Sequence, residues 1–298
     1  MSPSPPTARL RVAGGRSLDV WYDDGPGAEN LAPLLFHAGT PASGLPFAPF
    51  AVAARERGLR MIGWSRPGYG SSTRLPDRGV THVVADAAAV LDHLGVDRTY
   101  VVGHSGGGPH ALACAALLPD RVIGTALIAG VAPFEAEGLD FLANMGEENH
   151  VEFAAAQEGE AALRAYLEPA RAEILGMSGA DVAAMFGDLV DDVDRAALTG
   201  DYAQFVADQM REGLRESSAG WLDDDRSFVE PWGFDLAEIE GRVHVWQGAH
   251  DRMVPFAHGE WLVQHLPNPC PHLEEAHGHM SLAVVGFPAI LDALVADT

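Results

Sequence analysis

Lysine is absent from this chain of 298 residues, and all 19 of its basic residues are arginines. Arginine stays protonated, so it does not act as a nucleophile. The absence of lysine therefore excludes Schiff-base and pyridoxal-phosphate chemistry. It also excludes the P-loop, whose lysine contacts nucleotide phosphates.

Cysteine is scarce as well. The two cysteines, Cys114 and Cys270, cannot form a disulfide framework, and Cys114 stands in an apolar helical stretch that predicts a buried thiol. Because this usage is compatible with a reducing compartment, we expect a cytoplasmic protein.

Long hydrophobic runs are missing too. No segment approaches the roughly 18 apolar residues needed to cross a bilayer. Residues 1–7 show no basic region followed by an apolar stretch. We therefore expect neither a membrane partner nor a secretory signal. The hydrophobic share of 47% and the charged share of 20% are typical of a folded globular chain.

Acidic residues dominate the charge, and the formal net charge is −23. A polyphosphate would be repelled by such a chain, so nucleic acid is excluded as a partner. The segment from Phe134 to Trp232 carries 23 acidic residues and six arginines, which is most of the imbalance. We therefore expect a small-molecule substrate as the partner. Whether the chain forms a homo-oligomer is left open by the sequence.

The order of predicted elements indicates an α/β fold. An antiparallel pair is predicted at 8–12 and 17–22, and buried strands then alternate with amphipathic helices, at 32–37, 60–64, 99–103, 122–129, 243–247 and 272–275. Such alternation predicts a mostly parallel central sheet flanked by helices. Residues 134–233 predict helices without a buried strand, so we expect an inserted helical cap. Residues 1–133 and 234–298 then form the core.

The strongest motif is Gly103-His104-Ser105-Gly106-Gly107, between a predicted strand and a predicted helix. In this G-x-S-x-G pattern the glycines allow a sharp turn that exposes the serine hydroxyl, and the helix that follows presents N–H groups to a developing oxyanion. Ser105 is therefore the predicted nucleophile.

A serine nucleophile needs a base and an orienting acid, which follow it in the chain order Ser, Asp or Glu, His. Asp251 lies in a loop after the predicted strand at 243–247, although turns and helix caps are also ordinary places for aspartate. Two histidines, His277 and His279, follow the next strand. We favour His279, because an exposed loop before the last helix would aim it at Ser105.

The oxyanion hole requires two N–H donors, one from the residue after the nucleophile and one from the loop after the third strand. Gly106 is the first predicted donor. The second predicted donor is Thr40, in the loop His37-Ala38-Gly39-Thr40-Pro41. The same loop is also typical of a simple turn.

These motifs resemble those of the α/β-hydrolase superfamily over nearly the whole chain. His37-Ala38-Gly39-Thr40-Pro41 is similar to that family's oxyanion loop, and the stretch from Arg66 to Ser71 is similar to its Asp-x-Pro-Gly-x-Gly-x-Ser segment, with Ser65 where aspartate is usual. The resemblance implies Ser105, Asp251 and His279 as nucleophile, acid and base. Serine at the elbow separates the chain from the dehalogenases and epoxide hydrolases.

We expect a serine hydrolase of the carboxylesterase type acting on a small or medium, non-anionic ester, without metal or organic cofactor. Amide or aminopeptidase activity, carbon–carbon bond hydrolysis and perhydrolysis use the same triad. A ligand-binding protein on the hydrolase fold is the alternative from another class. A third alternative, with the least support, is that the acidic cap binds a partner protein.

Individual cap residues are harder to assign. A resemblance to proline-iminopeptidase-like enzymes, whose cap carboxylates hold a substrate amine, would give that role to Glu147 and Glu148, but in so acidic a segment we favour a solvated helix face. Asp223-Asp224-Asp225 is expected to be a polar loop. Five apolar or aromatic residues are candidates for an acyl pocket or for cap core, namely Phe141, Met145, Tyr166, Phe186 and Trp221.

Overall fold

The central feature is one eight-stranded sheet, seen in a computed structural model that describes residues 4–296. The strands are β1 (Ala8–Arg11), β2 (Ser17–Tyr22), β3 (Ala32–His37), β4 (Leu59–Trp64), β5 (Thr99–His104), β6 (Val122–Ile128), β7 (Val243–Gly248) and β8 (Pro269–Glu274). Their spatial order is β1-β2-β4-β3-β5-β6-β7-β8.

The sheet is antiparallel at one edge and parallel elsewhere. Strand β2 pairs antiparallel with both β1 and β4, and every pair from β4 to β8 is parallel. Parallel strands joined by helical crossovers are covered on both faces, which explains why β7 is buried along its whole length. The predicted mostly parallel sheet is confirmed.

Eleven helices are described: α1 (Ala48–Glu56), α2 (His82–His93), α3 (Gly108–Leu117), α4 (Glu147–Glu158), α5 (Glu160–Gly176), α6 (Val182–Met185), α7 (Asp192–Ala197), α8 (Gly200–Leu214), α9 (Ala219–Val229), α10 (Phe256–His265) and α11 (His279–Ala296). Two apolar clusters cover the sheet. Phe50 of α1 and Phe287 of α11 stack on one face, with ring centroids 3.9 Å apart. Leu91, Leu112 and Leu262, from α2, α3 and α10, pack in the cluster on the other.

The six helices α4 to α9 all lie between β6 and β7 in the chain. They pack on one another, with α4 against α5 and α9, and α5 against α8. Helix α7 also packs against α11, and so brings this acidic helical block to the carboxyl edge of the sheet. In parallel sheets that edge is where ligands bind.

Two boundaries near the carboxyl terminus differ from the predicted ones. Strand β8 begins at Pro269, not at residue 272, and α11 begins at His279, not at residue 282. Pro269 and Pro271 hide the strand signal in the sequence, and an edge strand tolerates them because only one side of it is paired. The early start of α11 has a tertiary cause, described below with the site.

Helix α11 is also the one helix of the described residues that is long and apolar enough to cross a membrane, contrary to the expectation that no segment approaches this length. Half of it is buried inside the protein, where Phe287, Ile290 and Leu291 belong to the core. Its apolar composition is therefore explained by packing on the sheet. Cys114 of α3 is buried as predicted, and Cys270 of β8 is partly exposed.

Candidate active site

Ser105 lies at the sharp turn between β5 and α3. Its φ of 54° is in the left-handed region, which is strained for a residue with a side chain. The neighbouring glycines are required by close approach of backbone. A Cβ on Gly107 would lie 2.1 Å from the carbonyl oxygen of His37, and one on Gly103 would lie 2.5 Å from the carbonyl oxygen of Gly107. The G-x-S-x-G pattern therefore reflects the steric demands of this turn.

Asp251 and His279 form a buried pair. Nδ1 of His279 lies 2.8 Å from Oδ2 of Asp251. The carboxylate is held in place by N–H groups of the following loop, since its Oδ1 accepts from Met253 at 2.9 Å and from Val254 at 2.8 Å. Gln247 donates to Oδ2 at 3.0 Å. With Nδ1 engaged by the acid, Nε2 of His279 is the ring nitrogen left to act as a base.

The electrostatics of this pair favour a positively charged imidazole. Burial lowers the pKa of His279, but the charge and hydrogen bond of Asp251 outweigh burial and raise the pKa above its ordinary value. Burial also raises the pKa of Asp251, and His279 opposes that rise. His104, whose ring centroid is 5.0 Å from that of His279, has its pKa lowered to about 3 by burial and by His279. It therefore stays neutral and adds no competing charge.

The structure brings His279, and not His277, to Asp251. His277 is partly exposed in the turn before α11, where its backbone carbonyl accepts from the N–H of His250 at 2.9 Å. Ser105 and His279 line one apolar cavity of about 100 Å³.

Thr40 and Gly106 lie side by side next to Ser105. A Cβ on Gly106 would be only 2.5 Å from Oγ1 of Thr40, and both residues line the same cavity of about 550 Å³ as Ser105. The two predicted donors are therefore neighbours in the structure, and the use of their backbone N–H groups as an oxyanion hole stays a prediction.

Asp224 is the main residue of the site that sequence reasoning missed. The expected polar loop at Asp223-Asp224-Asp225 is wrong, because all three are buried in helix α9. Asp224 accepts hydrogen bonds from Thr40 Oγ1 at 2.7 Å and from Tyr69 at 2.8 Å. It also forms ion pairs with Arg66 at 2.5 Å and with Arg78 at 2.6 Å. A fully buried carboxylate needs such partners to stay charged.

This cluster connects the helical block to the predicted oxyanion loop. Besides Asp224, Arg66 contacts the carbonyl oxygens of Ala38 at 2.5 Å and of Gly39 at 3.0 Å. Burial raises the pKa of Asp224, but the charges of Arg66 and Arg78 prevail and hold it well below its usual range. Asp224 is therefore an anion that fixes the loop carrying Thr40. Consecutive residues point about 100° apart on a helix, so its neighbours Asp223 and Asp225 have other surroundings.

Asp194 of α7 is a second residue that the sequence did not single out. Its carboxylate is fully buried at the amino end of α11, where it accepts from the backbone N–H groups of His279, Met280 and Ser281 at 2.8, 3.0 and 2.8 Å, and from the hydroxyl of Ser281 at 2.8 Å. An acidic cap on a helix amino terminus is favourable for both hydrogen bonding and charge. This contact explains why α11 already begins at His279.

The larger cavity is lined by parts of the helical block. Met145, Tyr166, Phe186 and Trp221, all candidates for a substrate pocket, line it together with Ser105. Phe141 does not, and instead packs against Phe134 at a tilted angle and against Phe153 edge to face, in a small apolar cluster. Glu147 and Glu148 line the cavity from exposed positions.

One group of metal-ligand type lies away from these cavities. Potential ligand atoms of His244, Cys270 and His272, on β7 and β8, are all within 4.8 Å of one another. Nδ1 of His244 is 3.1 Å from Nε2 of His272, whose ring stacks on Trp246 at 3.8 Å. Both histidines thus have protein contacts that account for their positions.

A sequence profile described as the alpha/beta hydrolase fold matches residues 32–284, which is most of the chain. The chain belongs to the α/β-hydrolase family. A 2-hydroxy-6-oxononadienedioate/2-hydroxy-6-oxononatrienedioate hydrolase of Paraburkholderia phymatum is 29% identical over 282 residues, covering 90% of this chain and 87% of the relative.

Other relatives of this hydrolase differ in activity. A bifunctional esterase/perhydrolase of Acinetobacter calcoaceticus is 30% identical over 117 residues, covering 39% of this chain and 42% of the relative. Among solved structures, the enol-lactonase of Burkholderia xenovorans superimposes with a TM-score of 0.69 at 18% identity, covering 97% of this chain and 98% of the lactonase. The likeness to the lactonase supports the fold alone, and together the relatives support a hydrolytic enzyme of this fold.

Proposed function

We propose that this hydrolase is a serine esterase that cleaves carboxylic esters of small to medium, non-anionic substrates through an acyl-enzyme on Ser105. The observation that carries the proposal is the buried Asp251–His279 pair, whose histidine lines the same cavity as a serine held at a strained elbow. Such an arrangement activates an otherwise weak hydroxyl nucleophile.

The first half of the reaction forms the acyl-enzyme. Ser105 Oγ attacks the ester carbonyl while Nε2 of His279 takes the hydroxyl proton, and Asp251 stabilises the imidazolium that results. The N–H groups of Gly106 and Thr40 bind the oxyanion, and each is worth on the order of 3 kcal/mol of transition-state stabilisation. The carbon–oxygen bond then breaks, and His279 returns its proton to the departing alcohol.

The second half releases the acid. A water molecule gives a proton to His279 and its oxygen attacks the acyl carbon, after which the ester bond to Ser105 breaks and the serine oxygen recovers the proton. No step draws on a metal or an organic cofactor.

The two cavities that share Ser105 suggest the size and polarity of the substrate. The smaller is lined by aromatic and aliphatic side chains such as Phe47, Phe50 and Phe205, which suits a short apolar acyl group. The larger is lined mainly by apolar side chains together with five carboxyl groups, and no arginine within residues 4–296 lines it. An anionic substrate would be repelled there, since like charges in a partly desolvated site interact strongly.

Hydrolysis of a carbon–carbon bond is the second candidate, favoured by the Paraburkholderia phymatum relative, whose sequence likeness spans nearly the whole chain. The name of that relative describes a substrate with two carboxylates. The acidic lining of the cavity argues against a dioate here, so ester hydrolysis comes first.

The test is turnover of p-nitrophenyl esters of increasing acyl length, with a 2-hydroxy-6-oxo dioate as the competing substrate. We expect the wild type to cleave short esters and Ser105→Ala and His279→Ala to be inactive. Preference for the dioate would favour carbon–carbon bond hydrolysis instead. A chain that neither turns over a substrate nor reacts with a fluorophosphonate at Ser105 would be a ligand-binding protein.

A further inference from the structure

Two histidines and a cysteine lie together on one face of the sheet, at its edge. His244 belongs to β7, and Cys270 and His272 belong to β8, the last strand in the spatial order. In the parallel register His244 is the partner of Cys270, and the next pair on the same side is Trp246 with His272. Residues two apart on a strand point to the same side of the sheet. The register therefore brings three side chains of the kinds that bind metal ions to one place.

The two histidines face each other with the spacing of a metal site. Nδ1 of His244 lies 3.1 Å from Nε2 of His272. Zinc bonds of about 2.0–2.1 Å to nitrogen, at the tetrahedral angle, place two nitrogen atoms roughly 3.3–3.4 Å apart. The pair therefore has to open by only about 0.2–0.3 Å to take an ion between its nitrogens.

The cysteine is close enough to complete the set. One potential ligand atom from each of His244, Cys270 and His272 lies within 4.8 Å of the other two. A zinc–sulfur bond of about 2.3 Å requires roughly 3.6 Å between the sulfur and each nitrogen. A movement of about 1 Å brings the sulfur into place, which rotation about the Cα–Cβ bond of a cysteine supplies.

The protein itself holds the two rings in position. The ring of His272 lies flat on the indole of Trp246, with centroids 3.8 Å apart and an angle of 2° between the planes. His244 is only 3% exposed, and its ring is inclined by 19° to that of His272. Because the facing nitrogens are within hydrogen-bond distance, one proton lies where an ion would bind. Side chains that are already ordered lose little conformational entropy on binding.

An ion can reach this cluster without passing through the candidate active site. Cys270 and His272 are partly exposed at the sheet edge. None of the three residues lines either of the cavities that contain Ser105. The net charge of −23 also raises the local concentration of cations around the chain.

We propose that His244, Cys270 and His272 bind one Zn²⁺ ion, with water as the fourth ligand. Imidazole and thiolate suit zinc, whereas Mg²⁺ and Ca²⁺ prefer oxygen ligands. Each histidine coordinates through the nitrogen that faces the other ring and carries its proton on the second ring nitrogen. The thiol gives its proton to water and binds as thiolate. The ion links the edge strand β8 to β7 and stabilises the folded chain, independently of ester hydrolysis at Ser105.

Cobalt(II) is the first probe of this site, because it occupies zinc sites and absorbs light. A thiolate ligand adds a sulfur-to-cobalt charge-transfer band in the near ultraviolet, and tetrahedral geometry gives intense bands in the visible. Carboxylates on an acidic surface give neither feature. We expect both bands to grow until one equivalent of Co²⁺ is bound to the reduced whole chain, and Zn²⁺ to remove them. A wild-type chain without the charge-transfer band would overturn the proposal.

The variants Cys270→Ser and His272→Gln each remove one ligand, and His265→Gln is the matched control. His265 stacks on Trp261 with centroids 3.8 Å apart, the same spacing as in the other histidine–tryptophan pair. It belongs to no group of potential metal ligands among residues 4–296. The control therefore removes a tryptophan-stacked histidine of the same kind without touching the site.

The affinity for Zn²⁺ is measured by competition with a chromophoric chelator. It should fall by more than about a hundredfold in Cys270→Ser and in His272→Gln, because changes to the groups behind a metal ligand already cost 10–100-fold. The control His265→Gln should bind Zn²⁺ like the wild type. Wild-type affinity in Cys270→Ser, which is nearly isosteric, would overturn the proposal.

The melting temperature gives a second readout that needs no chromophore. Zn²⁺ should raise the melting temperature of the metal-free wild type, whereas Mg²⁺ at the same concentration should not. In Cys270→Ser the melting temperature without metal should match the wild type, and the rise with zinc should be lost. An equal rise with both ions, or a rise with zinc that survives Cys270→Ser, would assign the effect to surface carboxylates and overturn the site.

Discussion

The acidic cap on helix α11 gives the sharpest prediction for the site. Asp194→Asn is nearly isosteric, but the side-chain amide has one oxygen where the carboxylate has two. Oδ1 of Asp194 accepts hydrogen bonds from the backbone N–H groups of Met280 and Ser281, whereas Oδ2 accepts one from the N–H of His279. In the variant an NH2 group must therefore face at least one of these backbone N–H donors.

The expected loss of stability follows from these contacts. One hydrogen bond to a charged group is lost, which costs about 1.5–3 kcal/mol. Removing a negative charge from the amino end of a helix costs up to about 1 kcal/mol more. We expect the free energy of unfolding to fall by about 3 kcal/mol. Urea unfolding measures this loss, with Asp192→Asn as control, because Asp192 is exposed on the same helix.

The same variant should also shift the pH dependence of catalysis. Asp194 is one of the charges that raise the pKa of His279, and the base must be neutral to accept a proton. Activity in the wild type therefore rises with pH through a value above the ordinary histidine value of about 6.5. Without the charge of Asp194 this acid limb of kcat/KM should move to lower pH. An unchanged limb together with a stability loss below about 0.5 kcal/mol, the usual effect of a surface change, would refute the assigned role.

Three further variants and one control variant test other contacts. Asp251→Asn should lower kcat by about four orders of magnitude while the fold persists, because the imidazole loses its orienting charge; activity within tenfold of wild type, measured on p-nitrophenyl acetate, would contradict that. Gly106→Ala places a Cβ 2.5 Å from Oγ1 of Thr40, so kcat should fall at least about a hundredfold with Ser105 still labelled by fluorophosphonate. Asp224→Ala leaves two buried arginines unpaired and should cost about 3–5 kcal/mol in urea unfolding. Asp223→Ala should cost less, because its partner Arg74 is 29% exposed, and equal losses would argue against the buried cluster.

Local sterics made the elbow and the order of elements readable from the sequence. The turn at Ser105 leaves no room for a Cβ at Gly103 or Gly107, so glycine is demanded at both positions. Strands buried on both faces require apolar runs, and the helices between them require apolar stripes. Each of these constraints acts over a few neighbouring residues and therefore leaves a pattern in the sequence. The fold and the candidate Ser105 could be predicted for this reason, whereas Asp251 and His279 were predicted from their order in the chain after two strands.

The roles of the acidic residues were decided only by tertiary structure. The helical segment from Phe134 to Trp232 holds 23 aspartates and glutamates, which no local pattern tells apart. Asp224 becomes a buried anion because it meets Thr40, 184 positions away in the chain, together with Arg66 and Arg78. Asp194 becomes a helix cap because α7 packs against α11. Whether a carboxylate is hydrated, paired or left facing a cavity depends on partners that only the folded chain brings together.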